Sequence, residues 1–191
     1  MRLFVAAELT PAIAQALAAF EGELQRRAAA LFPQARITWI PAERLHLTVR
    51  FIGEVDEARA AAIATTLSSL DAPAFAIEFI GAGAFPARGA PRVLWAGVGA
   101  GLDALNALEV DVSRRLASCD VPREDQPYRP HLTLARIREG VRIRIAPLLE
   151  GIAGTRFGAM PVDAITLFHS KLSSKGPQYT RLQSIYLRSS I

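Results

Sequence analysis

Hydrophobic residues recur along this chain at two periods, and the switches between them outline the elements. The N-terminal stretch at 1–9, apolar from Leu3 to Ala7, predicts a first strand. Thr10 followed by Pro11 predicts a helix start, a capping residue and then a proline at the first helical position. Ile13, Leu17, Phe20, Leu24 and Leu31 fall at helical spacing, and Pro33 ends that helix. A strand is expected at 36–40 and another at 44–51, stopped by Gly53. A second helix spans 56–70, with Ile63, Leu67 and Leu70 on one stripe, and Pro73 breaks it. Alternation over 75–80 predicts a strand leading into a glycine-rich loop at 81–91. A buried strand at 92–98 and a third helix marked by Leu105, Leu108, Val112 and Leu116 follow. A polar, proline-punctuated loop at 120–130 delivers the chain to a strand at 130–137. A short helix at 145–151 and strands at 164–168 and 179–187, flanking a loop at 170–177, complete the chain.

Within this pattern one tetrapeptide occurs twice. His46-Leu47-Thr48-Val49 and His131-Leu132-Thr133-Leu134 each lie in a predicted strand, and they use two of the three histidines in the sequence. Side chains alternate along a strand, so each histidine shares a face with its threonine while the aliphatic residues point into a core. A single His-x-Thr-x is a common accident; a duplicate agreeing at three positions is not. The order strand, helix, motif strand, helix is also repeated, which suggests an internal pseudo-repeat. The predicted fold is α+β: a single unit over 1–191, made of two intertwined lobes about a pseudo-twofold axis. Mixed or antiparallel sheets are flanked by helices, with His46 and His131 facing one cleft between the lobes.

The chain has 191 residues, 51% of them hydrophobic, enough for one substantial core. No stretch is apolar enough to span a bilayer, and Glu8 falls too early for a signal peptide. The single Cys119 rules out an internal disulfide and reads as a small buried residue, so a cytoplasmic protein is expected. The net charge of +4 rests on arginine, since Lys171 and Lys175 are the only lysines, and it favours an anionic partner without naming one.

Two histidines can share a proton near neutral pH, one accepting from water and one donating to a leaving oxygen. Threonine hydroxyls can bind phosphate oxygens or orient the rings. Such a set suits in-line attack on a phosphodiester. No metal-ligand spacing and no phosphate-binding glycine-lysine loop is present, so no cofactor is expected. Around this centre, Arg50 continues the face of His46 and Thr48 and is a candidate phosphate ligand. Arg136 falls on the opposite face by strict alternation and needs a strand end or a bulge to reach the cleft. Tyr128, Phe85 and Trp95 are candidates for stacking on a base, with core packing the leading role for Trp95. Lys171 and Lys175 could steer RNA, and His169 reads as structural.

The stretches Arg2–Ala6, Leu45–Val55, Arg92–Trp95 and Tyr128–Arg136, with the paired motifs, resemble the 2H phosphoesterase superfamily. Within it they look like the bacterial and archaeal RNA 2′,3′-cyclic phosphodiesterases, first described as 2′-5′ RNA ligases. Arg50 departs from the lysine the family often carries there, with the charge kept. The resemblance implies an RNA substrate ending in a 2′,3′-cyclic phosphate, hydrolysed to a 2′-phosphate. It implies His46 as proton donor to the departing O3′ and His131 as the acceptor that activates water. From the residues themselves, Thr48, Thr133, Arg50, Arg136, Tyr128 and Lys171 are the candidate substrate contacts. A monomer with no membrane or obligate protein partner, and a bell-shaped rate profile peaking near neutral pH, complete the expectation. The rival readings are 2′-5′ RNA ligation by the same residues, a non-catalytic RNA- or nucleotide-binding module, and a metal protein using His46, His131 and His169.

Overall fold

The computed structural model describes residues 1–138, 143–173 and 176–189. In chain order the elements are β1 (Arg2–Glu8), α1 (Pro11–Leu31), β2 (Ile37–Trp39), a 3₁₀ turn (Ala42–Arg44), β3 (His46–Glu54), α2 (Glu57–Ser68), β4 (Phe75–Phe85), β5 (Val93–Val98), α3 (Leu102–Ala117), β6 (His131–Ile137), α4 (Ile145–Leu149), β7 (Arg156–Val162), β8 (Ala164–Ser173) and β9 (Gly176–Tyr186). The strands form two antiparallel sheets, a four-stranded one in the order β3-β1-β8-β9 and a five-stranded one in the order β2-β6-β5-β4-β7. The α+β class expected from the periodicity is the class observed.

One face of each sheet is sealed by a single continuous core. Leu3, Val5, Ala7, Leu47 and Val49 from the first sheet join Leu94, Ala96, Leu132 and Leu134 from the second, all essentially inaccessible. The helices cross over to build it: α1, which follows β1, packs on β7 of the second sheet, whereas α3, which follows β5, packs on β3 of the first. The stripe on α1 is buried through Ile13, Leu17, Phe20 and Leu24, but Ala28 takes the next core position and Leu31, at the helix end, is 47% exposed. Asp56 caps α2 by accepting from the Arg59 amide at 2.7 Å. Thr10 occupies the corresponding position before α1 without a side-chain cap, and Pro11 opens that helix.

Three expectations change. The glycine-rich stretch is strand as far as Phe85, because Gly83 leaves room for a neighbouring indole: a Cβ there would lie 2.3 Å from the Trp95 ring. β7 is a strand that the alternation did not announce. It sits at the sheet edge, where Pro161 needs no ladder partner and Gly158 adopts a positive φ of 109°. The segment after Phe168 continues as paired strand to Ser173 and resumes at Gly176, so most of the expected loop is a hairpin arm. Lys175 lies outside the described residues.

Leu132 tests the core. It is fully buried on the back of a motif strand, so Leu132→Ala should lower unfolding free energy by about 2–5 kcal/mol, read from urea denaturation.

Candidate active site

Each motif strand places its histidine through the same local bond. His46 Nδ1 lies 2.8 Å from the Arg44 carbonyl oxygen, and His131 Nδ1 lies 2.7 Å from the Arg129 carbonyl oxygen. A carbonyl only accepts, so Nδ1 carries the proton in both rings and Nε2 is the free nitrogen. Register fixes the face. Thr48 stands opposite Ala6 and Thr133 opposite Trp95, on the side of each sheet away from the main core. Among the described residues neither threonine hydroxyl finds a hydrogen-bond partner.

The two histidines sit in unlike surroundings. His46 is enclosed by Phe4 at 4.8 Å between ring centroids, Tyr179 edge-on at 5.2 Å and Phe168 at 6.4 Å. His131 meets Phe85 edge-on at 5.0 Å, and Phe85 in turn packs on Trp95. Burial lowers the pKa of both imidazoles, against a smaller raising effect of each carbonyl bond; at His131 the Arg136 guanidinium lowers it further. The phenol of Tyr179 is pushed up by burial and eased down by Arg136, Arg44 and Arg2. Arg136 therefore lies within electrostatic reach of His131 on the second sheet and of Tyr179, the neighbour of His46, on the first. The strands β3 and β6 also pack against each other. Arg136 is thus a common electrostatic neighbour of the surroundings of both motifs.

Several expected ligands stand elsewhere, and for the two arginines strand register decides. The pairing of β1 with β3 shifts register after Thr48, and that of β5 with β6 shifts after Thr133, so an extra residue is inserted in each motif strand. Alternation then reverses. Arg50 turns to the core side, opposite Val5; it is 5% exposed, donates to the Pro122 carbonyl at 2.5 Å and pairs with Glu124 at 3.2 Å. It does not share the face of His46 and Thr48. The same reversal brings Arg136 onto the motif face, where it is exposed. Tyr128 packs against the core and donates its hydroxyl to the Thr48 carbonyl at 2.8 Å, so its ring is not free to stack. Lys171 is exposed on the hairpin arm, on the side opposite Phe168 and Tyr179 by alternation. Trp95 packs over Gly83 and against Phe85 on the motif face, outside the main core.

Sequence reasoning passed over Phe4, Phe168 and Tyr179. They come from β1, β8 and β9, and only the hydrogen-bonded order of the sheet gathers them around His46. Glu8, opposite His46 in the ladder, was also passed over. Its carboxyl is held below the usual range chiefly by its hydrogen bond from Arg181. Among the described residues no group of three or more His, Cys, Asp or Glu is placed to hold a metal ion, and no helix is long and apolar enough to cross a membrane.

A family model described as the 2′-5′ RNA ligase superfamily matches residues 11–173. The chain belongs to the 2′-5′ RNA ligase superfamily. A curated relative in this superfamily, from Aeropyrum pernix, is named RNA 2′,3′-cyclic phosphodiesterase; it is 40% identical over 149 residues, covering 78% of this chain and 85% of that protein. A relative of the same name from Archaeoglobus fulgidus is 33% identical over 183 residues, covering 96% and 98%. Among solved structures, TT0787 of Thermus thermophilus superposes with a TM-score of 0.73 at 32% identity over 100% of both chains. E. coli LigT in its apo form gives 0.75 at 26% identity, over 98% of this chain and 97% of that one. The expected 2H phosphoesterase membership holds.

Arg136 generates a direct test. Its positive charge disfavours the His131 imidazolium, so Arg136→Met should raise the pKa of His131 and leave that of His46 nearly unmoved. NMR titration of the ring protons checks both; an unshifted His131 would place the guanidinium elsewhere.

Proposed function

We propose that this chain hydrolyses RNA 2′,3′-cyclic phosphate ends to 2′-phosphates, with His46 and His131 as general acid and general base. The observation that carries the reading is the matched pair of Nδ1–carbonyl bonds. They leave two Nε2 atoms and two threonine hydroxyls free, on strands that pack together. Relatives named RNA 2′,3′-cyclic phosphodiesterase support the substrate. In the proposed step, Nε2 of His131 takes a proton from water as its oxygen attacks phosphorus. The P–O3′ bond breaks on the opposite side, and the electron pair leaves with O3′, which takes the Nε2 proton of the His46 imidazolium. Thr48 and Thr133 hold non-bridging oxygens, and Arg136 offsets phosphate charge. The charge of Arg136 favours a neutral base at His131 and does not act on His46 in the same way, which supports this order of roles. The repeated organisation fits the same reading: the order β3-β1-β8-β9 parallels four of the five strands of the second sheet, β6-β5-β4-β7, with one motif in each and β2 as an added edge strand.

Product analysis on RNA ending in a 2′,3′-cyclic phosphate tests the proposal, with 2′-phosphate the expected product. His46→Ala and His131→Ala should each lower kcat by roughly 10²–10⁴-fold, with effects that do not add. Near-wild-type turnover in either variant would remove the mechanism. Turnover should persist in excess EDTA.

The pH dependence follows from the burial of both rings. Below its pKa His131 is protonated and cannot accept, so the rate falls in acid. Above its pKa His46 has lost the proton it must donate, so the rate falls in base. Because burial sets both pKa values of the free protein below the usual value of about 6.5, the bell in kcat/KM should centre below that, not near neutrality. Bound phosphate favours the imidazolium, so the alkaline limb of kcat should lie higher than that of kcat/KM. A kcat/KM that climbs steadily into alkali would contradict the acid role of His46.

A further inference from the structure

Arg129 supplies the carbonyl that orients His131, and it lies in a segment with little else to hold it. Residues 122–130, all of them described, make no backbone–backbone hydrogen bond to any other described residue. The corresponding carbonyl in the first motif, that of Arg44, sits in a 3₁₀ turn closed by its own backbone bonds, Arg44 to Pro41 at 2.8 Å and Leu45 to Ala42 at 3.1 Å. The two half-sites thus present the same acceptor by different means. What fastens 122–130 is side chains. The Arg50 guanidinium donates to the Pro122 carbonyl and pairs with Glu124, and the Tyr128 hydroxyl donates to the Thr48 carbonyl. Both anchors end on β3, the strand that carries His46. β3 is the edge strand of its sheet, so its backbone has a free side for Tyr128 to bond.

We propose that Arg50 and Tyr128 form a latch from the first motif strand to the segment that sets the orientation of His131, and that both are positioning residues for the reaction. The inference rests on the proposed role of His131 as base. Tyr128 is adjacent to Arg129, so fixing its ring fixes the peptide that accepts from His131 Nδ1. Arg50 secures the other end of the segment. Its side chain is 4% exposed, and the cavity beside it, about 220 Å³, is lined in part by that segment through Glu124, Gln126 and Tyr128. A buried guanidinium needs its acceptors there, which fixes the segment in one place. Burial and the nearby Glu109 and Glu124 raise the Tyr128 pKa, so the phenol stays protonated and able to donate. A misplacement of about 1 Å at a reacting group can cost on the order of 10²-fold in rate. Loosening the latch should therefore act on turnover rather than on binding.

The test compares Tyr128→Phe, Arg50→Met and Arg50→Lys in the full chain, by two readouts. On a 2′,3′-cyclic nucleotide, Tyr128→Phe and Arg50→Met should lower kcat about tenfold or more with KM little changed. Arg50→Lys, which keeps the charge and one donor, should recover part of the loss. Independently of activity, NMR of the ring nitrogens should show His131 signals shifted or broadened and its preference for the Nδ1–H tautomer weakened, with His46 signals in place. If Arg50→Met fails to fold, Tyr128→Phe decides alone, since it removes one hydroxyl. Unmoved His131 signals in the folded variants would overturn the latch. If the wild-type chain does not turn over the nucleotide, the functional reading fails while the NMR arm still decides the latch.

Discussion

Two backbone carbonyls, those of Arg44 and Arg129, hold the two motif histidines of this protein in place. Each binds Nδ1 of the histidine two residues on, and because it can only accept, it dictates the tautomer. The ring then has one free nitrogen. The strands that present these rings are themselves fixed by Leu47, Val49, Leu132 and Leu134 on their other faces. A strand cannot slip by one residue without moving its apolar set out of the core. Core packing and site geometry are thus enforced by the same alternation.

Burial alone would make the two rings alike, each with its pKa lowered. Charge separates them. Arg136 acts on His131, while His46 has three aromatic neighbours. In the proposed mechanism, these unlike settings are what let one residue type serve as acid and as base. The difference extends to how each orienting carbonyl is held, by a backbone turn before His46 and by side-chain anchors before His131.

The inserted residue after each threonine governs which neighbours share the motif face. It reverses the faces of the residues that follow it, sending Arg50 into the interior and Arg136 out beside His131. A bulge is a two-strand property: it shows itself as a mismatch of pairing with β1 or β5, not as a pattern within β3 or β6. Strict alternation along one strand therefore placed the first four residues of each motif correctly and the next ones on the wrong faces.

The sequence by itself determined the α+β class, the three long helices, the motif strands and the four polar residues that repeat, because periodicity and duplication are local signals that survive without partners. The core stripes on α2 and α3 and the inward Leu47 and Leu132 were legible for that reason. Weakly patterned strands were not: β7, interrupted by Gly158 and Pro161, exists because β4 offers it a ladder. Nor could the sequence gather Phe4, Phe168 and Tyr179 at His46, or pair Arg50 with Glu124 and Tyr128 with the Thr48 carbonyl. Those assignments depend on which strand lies beside which, and on where a register shift falls. Both are settled by long-range pairing and burial, and only the folded chain brings those contacts together.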